Sequence, residues 1–292
     1  MDTGTMTAIP ANTRPLAGPA PRLKTPAGAT DCHMHFYLDG FTAQPGGPQI
    51  AELATVADYA AVQRRLGLER VVVVQSNAYQ FDNGATLAAL DQIGKARARA
   101  VIALSPRTTA PELHALDERG VRGARVMNLP GGAVKIAEMK PVEQLARAVG
   151  WHLIVQLNCQ EIRQYVDALN AIETDYVIDH IGKFMPPVAA DDRRVDEILR
   201  LIDCGNAWFK ICGAYETSLA GGPDFADVAP LAKRIIAYAP ERVIWGSNWP
   251  HVGVPRSAYP DDATLLDLLL DWASPETCRK ILVDNPARLY GF

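Results

Sequence analysis

The run Ala29-Thr30-Asp31-Cys32-His33-Met34-His35-Phe36 (ATDCHMHF) decides how this chain is read. It follows a proline-rich lead and begins the first apolar stretch, so it reads as a strand. Side chains alternate across a strand, which predicts Asp31, His33 and His35 on one face and Cys32 and Met34 on the other. Two imidazoles side by side can hold a metal, polarise a carbonyl or pass a proton. The competing reading is a pair of satisfied histidines in an ordinary strand. Position favours chemistry, because the pair ends the first strand of a chain that goes on to alternate strand and helix.

From residue 29 the chain repeats a short apolar run, a loop and an amphipathic stretch. Strands are predicted at 29–34, 71–76, 99–104, 121–127, 152–158, 176–181, 207–212 and 242–247. Helices are predicted at 55–66, 84–96, 110–119, 140–149, 160–170, 191–204, 224–239 and 262–272, with closing helices in the tail. Pro111 and Pro141 stand where a first helical turn tolerates proline. Eight strand–helix units over roughly 250 residues match a single (β/α)8 TIM barrel of the α/β class. An open doubly wound sheet is the alternative, but no GxGxxG follows the first strand. Residues 1–27, with Pro10, Pro15, Pro19 and Pro21, read as an extended arm with room for disorder at its tip. Met6 would serve as well as Met1 for a start, and residues 28–292 read as one domain.

Hydrophobic residues at 48% and charged residues at 21% describe an ordinary globular chain. A net charge of −4 gives no general attraction to nucleic acid. No apolar run approaches the roughly 20 residues that cross a bilayer. The opening MDTGTMTAIP lacks the order of a signal peptide. Cys32, Cys159, Cys204, Cys212 and Cys278 form no CxxC and no cluster, which argues for reduced thiols and a cytoplasmic setting.

In a barrel the site lies at the carboxyl ends of the strands. Strand 1 brings His33 and His35 there, and strand 2 brings Gln75, Ser76 and Asn77, then Tyr79 and Asn83. Strand 4 offers Arg125, strand 5 Gln156 and Asn158, and strand 6 Asp179 and His180, with Lys183 just after. Strand 7 offers Lys210, with Tyr215 and Glu216 beyond, and strand 8 runs into Ser247-Asn248-Trp249-Pro250-His251. Any one cation here could be a rim charge, but polar groups gathered at one end of six strands need partners or a ligand. His114, on a helix, and His152, at a strand start, fall away from this end and read as structural.

HMH on strand 1, DHIG (179–182), WGSNWPH (245–251) and the closing NPARLYGF (285–292) resemble the amidohydrolase superfamily, and most closely its lactone-acting branch. WHLIVQLN (151–158) and WFKICGAYE (208–216) fit the same branch, and the resemblance runs from about residue 28 to the end. Metal-dependent members carry an anionic ligand on strand 4, a His on strand 5 and an Asp on strand 8. This chain has Arg125, Gln156 or Asn158, and Asn248 in those regions, which implies no metal and no other cofactor. Hydrolytic members of the branch have Asp where Asn248 stands, and an amide is no general base at neutral pH.

The resemblance implies an enzyme of oxidative hexuronate degradation acting on a small anionic sugar lactone. The expected reaction converts D-galactaro-1,5-lactone to the 1,4-lactone by attack of a substrate hydroxyl on the ring carbonyl, where proximity alone is worth roughly 7–11 kcal/mol. His33, His35 and the Asn248 amide are the expected carbonyl donors, with His180 carrying the proton and His35 as the alternative carrier. Arg125 and Lys210, then Lys183, are the expected carboxylate clamp. Ser76, Asn77, Tyr79, Asn83, Gln156, Tyr215 and His251 complete the expected substrate contacts. Three rival readings remain open at this stage: a metal-independent lactonase acting on a lactone or pyrone dicarboxylate, a metal-dependent hydrolase or decarboxylase of the same superfamily, and a silent barrel that binds a sugar acid.

Overall fold

The computed structural model describes residues 8–292. The disorder expected at the tip of the arm concerns residues outside that range. Eight parallel strands follow one another in sequence order: β1 (Thr30–Met34), β2 (Arg70–Val74), β3 (Ala98–Ile102), β4 (Val121–Met127), β5 (His152–Gln156), β6 (Tyr176–Ile178), β7 (Ala207–Ile211) and β8 (Val243–Trp245). The barrel is closed by the residues just past β8. Asn248 N–H donates to His33 O at 2.8 Å and His35 N–H to Trp249 O at 2.8 Å. The motif that ends the barrel is thereby stitched to the motif that begins it.

Helices α1 (Val56–Leu66), α2 (Gly84–Ile93), α3 (Ala110–Arg119), α4 (Met139–Ala148), α5 (Ile162–Asn170), α6 (Arg193–Asp203), α7 (Ala229–Tyr238) and α8 (Asp262–Trp272) follow the strands in turn. Local chemistry sets their limits. Thr55 and Asp58 form a capping box at the start of α1, and Gly67 stops it with φ 70°. Thr109 and Glu112 do the same for α3.

The strict alternation expected of β1 fails. Its register against β2 shifts between Asp31 and Met34, a bulge that re-aims side chains. Asp31 faces the helix layer, accepting from Tyr59 Oη of α1 at 2.8 Å and from Ser247 N and Oγ at 3.0 and 2.5 Å. Cys32 packs into the inner cluster with Val72, Val74, Val101, Ile154, Val177, Trp208 and Ile244. His35 turns into the barrel mouth, and His33 lies fully buried behind it, outside the cavity lining. The runs expected as strands at 176–181 and 242–247 also end early, because the backbone leaves the ladder for left-handed conformations at His180 (φ 51°), Ile181 (51°), Lys183 (42°) and Asn248 (61°).

Residues 8–29 carry neither helix nor strand until Thr30, and the arm lies on the barrel: Arg22 and Leu23 N–H donate to Asp267, and Leu23 is buried. At the other end α9 (Pro275–Arg279) and α10 (Asn285–Tyr290) close the barrel floor. Tyr290 meets His152 edge-on at 4.9 Å, and Arg99 lies 4.6 Å over the Phe292 ring. His152 is buried on this floor, whereas His114 is exposed on α3. Among the described residues no helix is long and apolar enough to cross a membrane.

Candidate active site

A cavity of about 540 Å³ opens at the carboxyl ends of the strands. His35, Arg125, Gln156, His180, Lys183, Glu216 and Asn248 project into it, with Ser76 and Asn77 at its side. One wall is Gly46-Gly47-Pro48 from the long 36–55 connection. That connection is pinned at both ends by paired Tyr37–Ala54 backbone bonds, and Gln44 N–H holds it to Ala78 O at 2.8 Å. Gly47 is required there, since a Cβ would stand 2.6 Å from the carbonyl oxygens of Asn77 and Ala78.

The two β1 histidines form an ordered chain. A carbonyl only accepts, so His35 Nδ1–H donates to Val74 O (2.8 Å) and leaves Nε2 as acceptor. His33 Nε2 faces it at 3.3 Å, which assigns the His33 proton to Nε2 and turns His33 Nδ1 to the Lys210 ammonium at 3.2 Å. Burial, reinforced by the Arg125 charge, pulls His35 down to about 3. Burial also holds His33 well below its ordinary value, against the pull of Asp179. Both rings are therefore neutral at pH 7. With His35 Nδ1–H given to Val74 O and His33 Nε2–H given to His35, neither is free for the carbonyl-donor role expected of it.

Lys210 is fully buried and does not reach the cavity. It pairs with Asp179 at 3.4 Å, so it is an internal counter-ion rather than a surface for a ligand carboxylate. Burial raises the Asp179 carboxyl, but His180, Lys210 and His33 outweigh it and hold the group well below the usual range. Asp179 Oδ2 lies 3.0 Å from His180 Nδ1, which aims His180 Nε2 at Glu216 Oε1, 3.6 Å away. The left-handed backbone from His180 to Lys183 is what brings both side chains to the mouth. Such strain persists only where surrounding contacts over-determine it.

Glu216 is the main residue that sequence reasoning leaves without a role. It ion-pairs with Lys183 and accepts from Asn248 Nδ2 at 2.7 Å. Burial raises its carboxyl, yet His180, Lys183 and the Asn248 bond together hold it below the ordinary range. Its place just past β7 was the available signal. Asp179 was placed at the strand end without a role, and Tyr37 was missed: Tyr37 Oη meets Ser76 Oγ at 2.7 Å and lines the cavity, two residues beyond His35.

Arg125 is buried, donates to Gln75 O (2.6 Å) and Gln156 Oε1 (2.9 Å), and keeps Nε without a partner among the described residues. A guanidinium held this way is prepared for an oxyanion or carboxylate. Four other expected contacts lie outside the cavity lining. Asn83 bonds both backbone groups of Ala103 (3.0 Å each) and so tethers the end of β3. Tyr79 is buried and packs 5.9 Å from the Tyr37 ring. Tyr215 and His251 stand behind Asn248: Tyr215 Oη accepts from Asn248 Nδ2 at 2.7 Å and lies 2.9 Å from His251 Nδ1. Both Asn248 amide hydrogens are thus committed, and the oxyanion-donor role expected of that amide is not open to it. Asn158 is likewise turned away, capping the backbone at Gln160 and Met185.

Two imidazoles that share an ion must aim lone pairs at it. Here one β1 imidazole donates to the other; the remaining nitrogen of His35 faces Val74 O, and that of His33 faces Lys210 at 3.2 Å and Asp179 Oδ1 at 3.4 Å. Among the described residues the group best able to ligate is His33, His180 and Cys212, within 4.8 Å of one another, and the adjacent Asp179 carboxylate is already shared among His33, His180 and Lys210. This donor set, beside Arg125 and Lys210, does not fit a divalent ion.

A barrel whose mouth joins two imidazoles, a pinned carboxylate and an unsatisfied guanidinium defines an enzyme of carbonyl chemistry. The chain belongs to the amidohydrolase family, whose model matches residues 30–292. It is 42% identical over 281 residues to a D-galactarolactone isomerase of Agrobacterium fabrum, covering 95% of this chain and 96% of that protein. It is 31% identical to a 2-pyrone-4,6-dicarboxylate hydrolase of Comamonas testosteroni, covering 92% of each. An apo crystal structure from Agrobacterium tumefaciens superposes with a TM-score of 0.90 at 40% identity, covering 96% of this chain and 99% of that one.

Proposed function

We propose that this enzyme isomerises a hexaro-1,5-lactone, with D-galactaro-1,5-lactone as the expected substrate, to the 1,4-lactone. The observation that carries the reading is Asn248: an amide with both hydrogens engaged stands where a hydrolytic relative would need a base. The name of the 42% identical relative supports the same choice.

The substrate O4 hydroxyl attacks C1, the C1–O5 bond breaks, and the O4 proton ends on O5, so no atom is gained or lost. His180 Nε2 takes the proton from O4 and returns it to O5, with Asp179 orienting the ring. Lys183 meets the C1 oxyanion and Arg125 the free carboxylate, Arg125 being suited to a bidentate hold. Ser76, Asn77 and the Gln156 amide read the hydroxyls, contacts that discriminate strongly against analogues without them. No step calls on a metal, in keeping with the poor donor set. We place the reaction in the cytoplasm, on the strength of five unpaired cysteines, with no nucleic-acid partner.

The second reading, a metal-independent lactonase, draws support from the hydrolase relative and from the ionised Glu216, which could take a proton from water. Proton NMR of fresh D-galactaro-1,5-lactone with chelator-treated enzyme separates the two. Early 1,4-lactone above the uncatalysed rate supports isomerisation. Open-chain diacid as first product supports the lactonase, and no change from control removes this substrate.

A further inference from the structure

Behind Asn248 runs a hydrogen-bond chain with one self-consistent direction. Asp262 Oδ1 lies 2.9 Å from His251 Nε2, and a carboxylate accepts, so the His251 proton is on Nε2. His251 Nδ1 must then accept from Tyr215 Oη–H (2.9 Å), because burial and the nearby Glu216 charge hold that phenol well above its ordinary value, in its protonated form. Tyr215 Oη is left to accept from Asn248 Nδ2 (2.7 Å), whose other hydrogen goes to Glu216 Oε1 (2.7 Å). The amide is the one neutral side chain of this size that can donate at once to a phenol oxygen and a carboxylate. His251 is buried, and none of Asp262, His251 and Tyr215 lines the catalytic cavity.

We propose that the partition between ring exchange and hydrolysis is set by Glu216 and Asn248 acting as a pair, with His251 and Asp262 as positioning residues that lock the amide. This rests on the lactone reading above. Its consequence is that a carboxylate at position 248 does not by itself make a water-activating base. Asn248→Asp places that carboxylate within hydrogen-bond distance of Glu216, opposite the Tyr215 oxygen and beside His251. Lys183 is already paired with Glu216, His180 Nε2 stands 3.6 Å from the same carboxylate, and Arg125 lines the cavity held by Gln75 and Gln156. Two carboxylates in contact with no added cation share a proton, and the pair keeps it to higher pH. Removing the first carboxylate frees the second.

The test compares Asn248→Asp with the double variant Asn248→Asp/Glu216→Gln. At pH 7 the single variant should form diacid roughly tenfold more slowly than the double, and its diacid rate should rise with pH where that of the double stays flat. Equal neutral-pH diacid rates in the two variants would overturn the proposal. Carboxyl titration by 13C NMR of aspartate- and glutamate-labelled Asn248→Asp needs no substrate. A carboxyl absent from the wild-type spectrum and titrating above the ordinary carboxylate range supports the pair, and two ordinary titrations refute it. That readout stands even if wild-type enzyme leaves the lactone untouched, an outcome that would remove the lactone reading alone. Asp262→Asn tests the lock. It should move the pH profile of turnover, and Asp262→Glu should restore it; a change in stability with an unmoved profile would make Asp262 merely structural.

Discussion

Gly246 and His33 pass so closely at the barrel seam that a Cβ on the glycine would stand 2.6 Å from the histidine Cβ and 2.8 Å from its backbone nitrogen. Neither neighbour is a flexible side-chain end, so a methyl group there must displace the catalytic strand. Gly246→Ala should cost about 1–3 kcal/mol of stability and should lower kcat/KM beyond what the stability loss explains, since His33 and His35 move together. Urea denaturation and steady-state kinetics on the same preparation check both parts; unchanged kinetics would mean the strand absorbs the shift.

His180 is placed to carry the proton, with Asp179 behind it and Glu216 before it. His180→Asn keeps polarity and approximate size but cannot exchange a proton near neutrality. Turnover should fall by about 10²–10⁴, while binding of the product lactone, read by calorimetry, should change little. Loss of binding in parallel with turnover would recast His180 as a binding residue.

Arg125 bridges two strands and the cavity. Arg125→Gln forfeits charge-assisted hydrogen bonds worth about 1.5–3 kcal/mol each, so KM or kcat should worsen by roughly tenfold or more. Arg125→Lys should rescue poorly, because a point charge cannot hold Gln75 O, Gln156 Oε1 and a substrate oxygen together. Kinetics of the three proteins with the lactone decide it, and full rescue by lysine would limit the role to charge.

Acid should unfold this protein early. His35 and His152 are each pulled down to about 3 by burial, and His33 falls well below its ordinary value. In the unfolded chain such groups titrate near 6.5. Between those values the unfolded state binds protons that the folded state refuses, so folding stability is whole above about pH 6.5 and falls as pH decreases. Each histidine contributes roughly 1.4 kcal/mol per pH unit in that window. Asp179 and Glu216, depressed in the fold, add stability that is likewise lost on further acidification. Melting temperatures from pH 8 to 4 should drop steeply below pH 6, and His152→Gln should flatten the slope. A level profile down to pH 5 would contradict the burial argument.

The repeating units of the barrel were readable because parallel strands covered on both faces appear as bare apolar runs, and β4 was placed residue for residue. What the residue pattern hid was local backbone geometry. The bulge in β1 leaves no mark in TDCHM, yet it decides that Asp31 serves the seam and Cys32 the core. The left-handed turns at His180 and Asn248 fall on residues other than glycine, so the glycines near them, Gly182 and Gly246, did not mark which residues would turn. Arg125 and Lys210 looked alike, each a cation breaking an apolar strand. Only the position of Asp179 shows that one is neutralised inside the barrel while the other meets the cavity. Glu216 was visible in its place after β7, but its partner Asn248 lies 32 residues away in sequence, and the meaning of either depends on the other.

The bond from Ser247 N–H to Asp31 spans 216 residues of chain. Loop-closure entropy grows only slowly with such length, but the order of events is strict. While the polypeptide is being synthesised, His33 and His35 wait without their partner segment until almost the whole domain has left the ribosome. Activity therefore reports a finished ring: a nascent chain halted before residue 247 can hold most of its strands and still be unable to assemble the catalytic mouth.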